Sequence, residues 1–468
     1  MTLKDSLEHS ADEIGFEDAE FVQIRYTDVP GRFLAKYIAS DSGDYLRSGV
    51  GLDGSSVRGF AKIDESDLLL VPDRSTLRLA PMPNYKVATV IAGVYEGFGG
   101  GRLVRDPRHV SQLMEEHLAL EGLSCQVGPE VECFIFDDVV FGGRSGPELL
   151  SAERAGKYPI RRKGGYDAPP FQDSLVELRF EVAEILKKNY LIKVTNLNHE
   201  VASSGQIEIN FMHSTLTKAA DNVQIYKDTV RSVAKKHNKI ANFMPKPVFD
   251  ESDPRGSESD NGSGMHVSTS LWAGTGNIFY DASDGYAELS QAGRYFIGGV
   301  LRHAPSLAAL VAPTVNSYHR MVPGFEAPVY VAWSRGNRSA IARVPVNDRN
   351  TAKSKRIEFR APDPSANPYL AFSAIVAAGF DGIRKKIEPG DPVNEDIYNM
   401  PDHIRSSLGI RSLPGSLQES LEALKSDQDY LKPCFQGDLL ETYIALKQEE
   451  VAYAGKSKER EFMLYYDI

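Results

Sequence analysis

Cysteine is scarce. The 468 residues include three, Cys125, Cys133 and Cys434, with no Cys-x-x-Cys spacing. An odd, sparse set builds neither a disulfide framework nor a zinc site, and the expectation is reduced thiols in a cytoplasmic protein. Positive charge is in deficit as well: 53 Lys and Arg against 64 Asp and Glu give a net charge of -11. That balance argues against nucleic acid and anionic membrane surfaces as partners. No long uninterrupted apolar run is present. The most apolar stretch, Tyr295 to Val315, contains Arg302, His303 and Pro305, which predicts a buried helix and loop rather than a membrane span. Met1 to Gly15 carry Asp12 and Glu13 and no apolar segment, so no signal peptide is expected. Gly97 to Gly101 hold four glycines but no Gly-Lys-Ser/Thr follows, which excludes a P-loop and predicts a flexible boundary near residue 103. No internal repeat is present.

What is there suffices for a large core: 42% of residues are hydrophobic. Residues 19 to 95 alternate β-rich runs, such as Phe21-Val-Gln-Ile-Arg-Tyr, with turns. Beyond the boundary, Pro107 opens a helix, and further helices are predicted over Ala219 to Ala241 and Pro368 to Arg384. The last has Asn367 as N-cap and Pro368 at its first position. Residues 251 to 263 have loop composition.

Four segments share one design. They are Gly128-Pro-Glu130-Val-Glu132, Ser204-Gly-Gln206-Ile-Glu208-Ile-Asn210, Gly264-Met-His266-Val-Ser268-Thr-Ser270 and Arg356-Ile-Glu358-Phe-Arg360. Strand side chains alternate between faces, so each segment puts its polar set on one side and its apolar set on the other. A single such strand is most simply one with a wet face. Four that concentrate Glu and His beside glycines, with Glu200 eight residues before Glu208, point to a shared site. Two carboxylates at strand i, i+2 spacing stand roughly 7 Å apart and repel by about 2 kcal/mol at an effective dielectric of 20. Divalent cations relieve that cost, and oxygen ligands with one imidazole suit Mg²⁺ or Mn²⁺. The spacing gives Glu130 and Glu132 to different ions. More than one hard metal among carboxylates suggests phosphoryl transfer. A basic set, Arg320, Arg338, Arg343, Lys353 and Arg360, is suited to clamping carboxylate and phosphate oxygens, whereas Lys355 and Arg356 read as surface charge.

In this combination the chain resembles the type I glutamine synthetases over nearly its full length. The matching motifs are Leu52-Asp53-Gly-Ser-Ser56, Gly128-Pro-Glu130-Val-Glu132, His199-Glu200-Val-Ala with Gly205-Gln-Ile-Glu208, and Met244-Pro-Lys-Pro247. They continue with Asn261-Gly-Ser-Gly-Met-His266, Asn316-Ser-Tyr-His-Arg320-Met-Val-Pro-Gly-Phe-Glu326, Asn337-Arg338-Ser, and Glu358-Phe-Arg360 leading to Asn367-Pro-Tyr-Leu. The resemblance implies an α+β protein. A small N-terminal β-grasp domain (1–103) would precede a large catalytic domain (104–468) with an antiparallel, barrel-like curved sheet flanked by helices. It implies a homo-oligomer, a dodecamer of two hexameric rings with sites shared between subunits. The implied reaction is ATP-dependent ligation of ammonia to the side-chain carboxylate of glutamate through γ-glutamyl phosphate.

Carried over by residue, the resemblance assigns Glu132, Glu200 and Glu208 to one metal and Glu130, His266 and Glu358 to another, at least two Mg²⁺ or Mn²⁺ ions per site. It assigns Asn261, Gly262, Arg320, Glu326 and Arg360 to glutamate. Ser268, Ser270, Arg338, Arg343 and Lys353 fall to ATP. Asp53, Glu326 and Arg338 are the catalytic candidates, with Asp53 binding ammonium from a neighbouring subunit and Glu326 closing over the intermediate. Thr195, Asn198 and Ser268 depart from the commonest family pattern, on what the resemblance makes the nucleotide side. The short segment between Phe136 and Pro169 lacks the insertion of adenylylated relatives. Tyr398 reads as an ordinary tyrosine, and Lys62 stands where feedback-inhibited relatives carry arginine. Two other readings stand beside this one: a γ-glutamyl-amine ligase acting on a polyamine or small amine, and a catalytically dead ring.

Overall fold

The computed structural model describes residues 15–41, 48–82, 84–97, 99–140, 151–154, 160–161, 163–203, 205–249, 260–322, 327–346 and 351–468. The N-terminal strands are β1 (Phe21–Thr27), β2 (Phe33–Ala39), β3 (Val50–Asp53), β4 (Asp67–Pro72), β5 (Arg78–Leu79) and β6 (Val87–Glu96). They form a β-grasp sheet in the order β2-β1-β6-β4-β3, with β5 added to β6. Its central strands β1 and β6 run parallel and the other pairs antiparallel. Val22, Ile24, Val90 and Val94 are buried, as their apolar runs predict, and β3 is left as an edge.

The second sheet contains β7 (Ser124–Val140), β8 (Ser151–Arg154), β9 (Val194–His199), β10 (Gln206–Phe211), β11 (Ile240–Asn242) and β12 (Met265–Ala273). It is completed by β13 (Gly276–Asn277), β14 (Tyr330–Arg335), β15 (Ala340–Val344), β16 (Ile357–Phe359) and β17 (Arg411–Ser412). Its path is β17-β14-β15-β16-β12-β7-β10-β9, with β8 and β11 on β7 and β13 on β12. Among the described residues only β14 and β15 pair in parallel in this sheet, which curls into a half-barrel. β7 lies at its centre, between β12 and β10.

The longer helices are α1 (Pro107–Leu120), α2 (Val176–Tyr190), α3 (Leu216–Lys236), α4 (Gln291–Val311), α5 (Pro368–Lys385), α6 (Leu417–Ser426), α7 (Leu439–Ala454) and α8 (Lys458–Tyr465). Asp106 caps α1 by accepting from Arg108 N, and Asn367 caps α5 by accepting from Tyr369 N at 3.1 Å. Helix α3 starts and stops earlier than the apolar pattern predicts. Asn238 adopts φ of 54°, a left-handed turn that ends the helix and lets Ile240 enter β11. Helix α4 runs through Pro305. A proline there leaves the carbonyl of Leu301 without its intrahelical donor, and Arg411 donates to that carbonyl at 3.4 Å.

Buried polar contacts join the grasp sheet to the helices. Arg108, 5% exposed, reaches both Asp73 of the N-terminal region and Asp221 of α3. Asn367 Nδ2 donates to the carbonyls of Asp28 and Val29, at 3.1 Å each. The apolar core is continuous from Val22 through Val131 to Leu370.

Candidate active site

The site is built by alternation. On β12, Val267, Thr269 and Leu271 are buried in the core, while Ser268 and Ser270 face a cavity. On β10, Ile207, Ile209 and Phe211 are buried, whereas Gln206, Glu208 and Asn210 line a second cavity with Glu130 and Glu132 of β7. Register then sets the neighbours. Glu132 is opposite Glu208, Glu130 is opposite His266, and Ser268 is opposite Glu358, which in turn faces Arg343 on β15. Like charges directly opposite are destabilising, so the Glu132–Glu208 pair is unexplained by folding alone.

Glu130, His266 and Glu358 each offer one ligand atom within 4.8 Å of the others. His266 Nδ1 lies 3.6 Å from Glu130 Oε2. Burial, then Arg360, holds His266 well below the usual imidazole range, which keeps it neutral and able to ligate. For Glu358 burial works upward, but the positive charge around it, of which Arg360 and Arg343 carry the permanent part, outweighs it and keeps the carboxyl ionised. Arg360 Nη1 donates to it at 2.7 Å and Arg343 Nε at 3.0 Å.

The other three glutamates form a second set. Burial first, then the charges of Glu132 and Glu208, pushes Glu200 up. Burial, then Glu208, raises Glu132. Glu208 is raised by burial and by Glu130, while hydrogen bonds with Glu200, Asn198 and Asn210 work the other way. Crowded acids of this kind hold protons unless a cation neutralises them. The donor set of carboxylate oxygens with one neutral imidazole fits hard divalent ions.

The larger cavity measures about 730 Å³. Besides the carboxylates it is lined by Asn261, Gly262, Arg320, Arg338 and Arg360. Arg320 and Arg360 are almost fully buried; Arg338 is exposed. Asn261 Oδ1 is buried and accepts no hydrogen bond among the described residues, a vacancy suited to a ligand's donor. A Cβ on Gly264 would meet Arg320 Nη2 at 2.8 Å and His266 Nε2 at 3.0 Å, so a side chain there would displace both. The adjoining cavity, about 410 Å³, is lined by Ser268, Ser270, Lys353, Gln126 and His213. The two share Glu130, Asn196 and Asn210.

Of the sequence candidates, Arg343 lines neither cavity and lies against Glu358. Asp53 lines neither and is exposed at the end of β3. It caps the following turn, accepting from Ser55 N at 3.0 Å and Ser56 Oγ at 2.6 Å, and the hydroxyls of Ser56 and Ser55 hold its carboxyl below its ordinary value. Glu326 lies outside the described residues. Thr195 and Ser268 line the smaller cavity, but Asn198 does not join them there. It pairs with Glu208 and lines the larger cavity, because β9 runs antiparallel to β10 and brings Asn198 opposite that carboxylate. The sequence placed Gln206 on the polar face of its strand with Glu208 but assigned it no role of its own. Sequence reasoning passed over Tyr166 and His213, which carry no pattern of their own.

A family profile described as "Glutamine synthetase, catalytic domain" matches residues 104–465, and one described as "Glutamine synthetase, beta-Grasp domain" matches 18–97. The chain belongs to the glutamine synthetase family. A glutamine synthetase of Sulfolobus acidocaldarius is 45% identical, covering 95% of this chain and 94% of that protein. One from Streptomyces filamentosus is 42% identical over 96% and 97%. A solved Plasmodium falciparum glutamine synthetase superposes with a TM-score of 0.83 at 27% identity, covering 100% of this chain and 99% of that one. The enzyme is a glutamate–ammonia ligase that makes glutamine at the expense of ATP, and the amine-ligase reading is not favoured. The family uses ATP and divalent metals and is oligomeric. Among the described residues no helix is long and apolar enough to cross a membrane.

Proposed function

We propose that glutamate occupies the larger cavity and ATP the smaller, with the carboxylate to be phosphorylated and the γ-phosphate meeting beside Glu130. The observation that carries this reading is that the two cavities adjoin there, both lined by Glu130, Asn196 and Asn210. Asn261 and Gly262 hold the amino-acid end of glutamate, the free Oδ1 of Asn261 taking its ammonium, while Arg320 and Arg360 neutralise its carboxylates. Lys353, Ser268 and Ser270 hold the nucleotide, and Arg338 neutralises charge developing on the transferred phosphoryl group. Arg343 reaches a phosphate only on releasing Glu358. Glu132, Glu200 and Glu208 hold one divalent ion and Glu130, His266 and Glu358 another, as Mg²⁺ or Mn²⁺. Such ions, when bound, would neutralise phosphate charge.

A side-chain carboxylate oxygen of glutamate attacks the γ-phosphorus and ADP leaves. Ammonium, drawn by Asp53 of a neighbouring subunit, gives up a proton to that carboxylate. Ammonia attacks the acyl carbon, and phosphate leaves with the former carboxylate oxygen. Glu326 closes over the intermediate and excludes water. The exposure of Asp53 on an edge strand supports its service to a neighbour, in a dodecamer of two hexameric rings in the cytoplasm. The test is phosphate release from ATP with glutamate and Mg²⁺, compared for ammonium and a panel of amines. Glutamine should form in step with phosphate and ammonium should be the best nucleophile. A polyamine that outcompetes ammonium overturns the assignment of Asp53.

A further inference from the structure

Of the stretches Met244–Pro247 and Asn316–Arg320, only Arg320 meets substrate in the proposed site. The rest ties that site to the C-terminal helix α8. Asn316 is fully buried. Its Oδ1 accepts from Lys246 N at 2.7 Å, and its Nδ2 donates to the Lys246 carbonyl at 3.0 Å. The same Nδ2 donates to Glu461 Oε2 at 3.0 Å. Glu461 belongs to α8 and is 1% exposed. Its other oxygen, Oε1, lies 3.0 Å from His319 Nε2. One carboxylate therefore grips both ends of the short helical turn Ser317–Arg320, which Asn316 precedes and Arg320 closes.

Both protein walls around the proposed glutamate site stand on these segments. Arg320 donates from Nη1 to the Ala361 carbonyl at 2.9 Å and from Nη2 to the Arg360 carbonyl at 3.3 Å. Its stem lies so close to Gly262 that a Cβ there would meet Arg320 Cγ at 2.9 Å. The carbonyl of Pro245, next to Lys246, accepts from Ser263 N at 2.7 Å and so fixes the loop that carries Asn261 and Gly262. Helix α8 backs both segments. Phe462 and Tyr465 form one apolar cluster with Met244. Lys458 Nζ donates to the Phe249 carbonyl at 3.0 Å, and the His319 ring stacks on Phe249 with centroids 3.9 Å apart. Apolar packing would hold α8 without a buried carboxylate, which is costly to desolvate. The two hydrogen bonds of Glu461 add direction: they fix where the Arg320 turn and the Lys246 segment sit relative to each other.

We infer that Glu461 is a positioning residue for glutamate binding, holding the Arg320 turn and the Asn261–Gly262 loop in register through His319 and Asn316. It touches no substrate, and the inference rests on the proposed glutamate site. Small displacements of a positioning group are expensive, because a substrate carboxylate must meet a guanidinium at hydrogen-bond distance.

The test is steady-state kinetics on the full-length enzyme, with glutamate and ATP varied in turn. Glu461→Met keeps the length and loses both oxygens. It should raise the KM for glutamate about tenfold or more and leave the KM for ATP unchanged. Glu461→Gln offers Oε1 to Asn316 and an amide proton to neutral His319, so it should restore the glutamate KM to near the wild-type value. An unchanged glutamate KM in the methionine variant, an equal rise in both KM values, or a glutamine variant as impaired as methionine overturns the positioning role. Should Glu461→Met fail to fold, His319→Phe carries the test, since it keeps a ring on Phe249 and removes one bond. The same selective rise is expected there, and an unchanged glutamate KM overturns the inference. Arg320→Gln separates the two claims. An unchanged glutamate KM in that variant overturns the proposed glutamate site itself, whereas a raised one beside an unaffected Glu461→Met overturns the positioning role alone.

Discussion

At the scale of single residues, charge decides. Glu358 is ionised, nearly inaccessible, and flanked by Arg343 and Arg360. Glu358→Gln leaves the buried guanidinium of Arg360 and the partly buried one of Arg343 without their partner and removes a ligand. Turnover should fall by about a hundredfold or more. Glu130→Gln should fall similarly while circular dichroism stays native, since Glu130 is only half-buried. Full activity of either variant in steady-state assays would remove it from the site. Asp53 holds its turn by accepting from Ser55 N at Oδ1, which an asparagine Oδ1 also does, while the Ser56 hydroxyl on Oδ2 would turn round and accept from the amide. Asp53→Asn should therefore keep the turn and lose only the charge. The KM for ammonium should rise about tenfold or more, with the KM values for glutamate and ATP little changed. At Ser268, in the wall of the smaller cavity, histidine should lower the KM for ATP by extending a donor toward phosphate. An unchanged or raised value would show that another side chain makes the contact.

At the scale of elements, the strands that carry the site were legible and the helix packing was not. Alternation in Gly128–Glu132, Gln206–Asn210, His266–Ser270 and Ile357–Phe359 is a local signal, so faces could be assigned from sequence. Which strands are neighbours depends on long-range register. Nothing in the sequence placed Glu132 opposite Glu208 or turned Arg343 onto Glu358. Asn198 came to the larger cavity for the same reason. The α4–α5 crossing was equally hidden. A Cβ on Gly299 would overlap the carbonyl of Ala378, and one on Gly382 would overlap that of Tyr295. The two backbones touch through these glycines, a need that composition does not reveal. Gly382→Ala should destabilise the protein by about 1–3 kcal/mol or more, read as a lower denaturation midpoint with unchanged slope. No loss of stability would mean that the helices separate at little cost.

At the scale of the whole molecule, the acidic cleft links metal, pH and stability. Burial and mutual repulsion raise Glu132, Glu200 and Glu208 above the ordinary carboxylate range. A carboxyl raised in the folded state contributes stability that is fully present below its unfolded pKa and is lost as pH rises through the folded value. The metal-free enzyme should therefore melt at progressively lower temperature from about pH 5 to about pH 8, and saturating Mg²⁺ or Mn²⁺ should flatten that slope. A metal-free melting temperature that holds steady or climbs over this range would contradict the charge crowding. The central claim is that glutamate and ATP meet where the two cavities adjoin, and that the glutamate carboxylate is phosphorylated there. Its most direct measurement uses glutamate carrying heavy oxygen in the side-chain carboxylate, with ATP, ammonium and Mg²⁺, and mass spectrometry of the released phosphate. The account predicts a heavy oxygen atom in each phosphate released. Phosphate without the label, alongside glutamine formation, would contradict it.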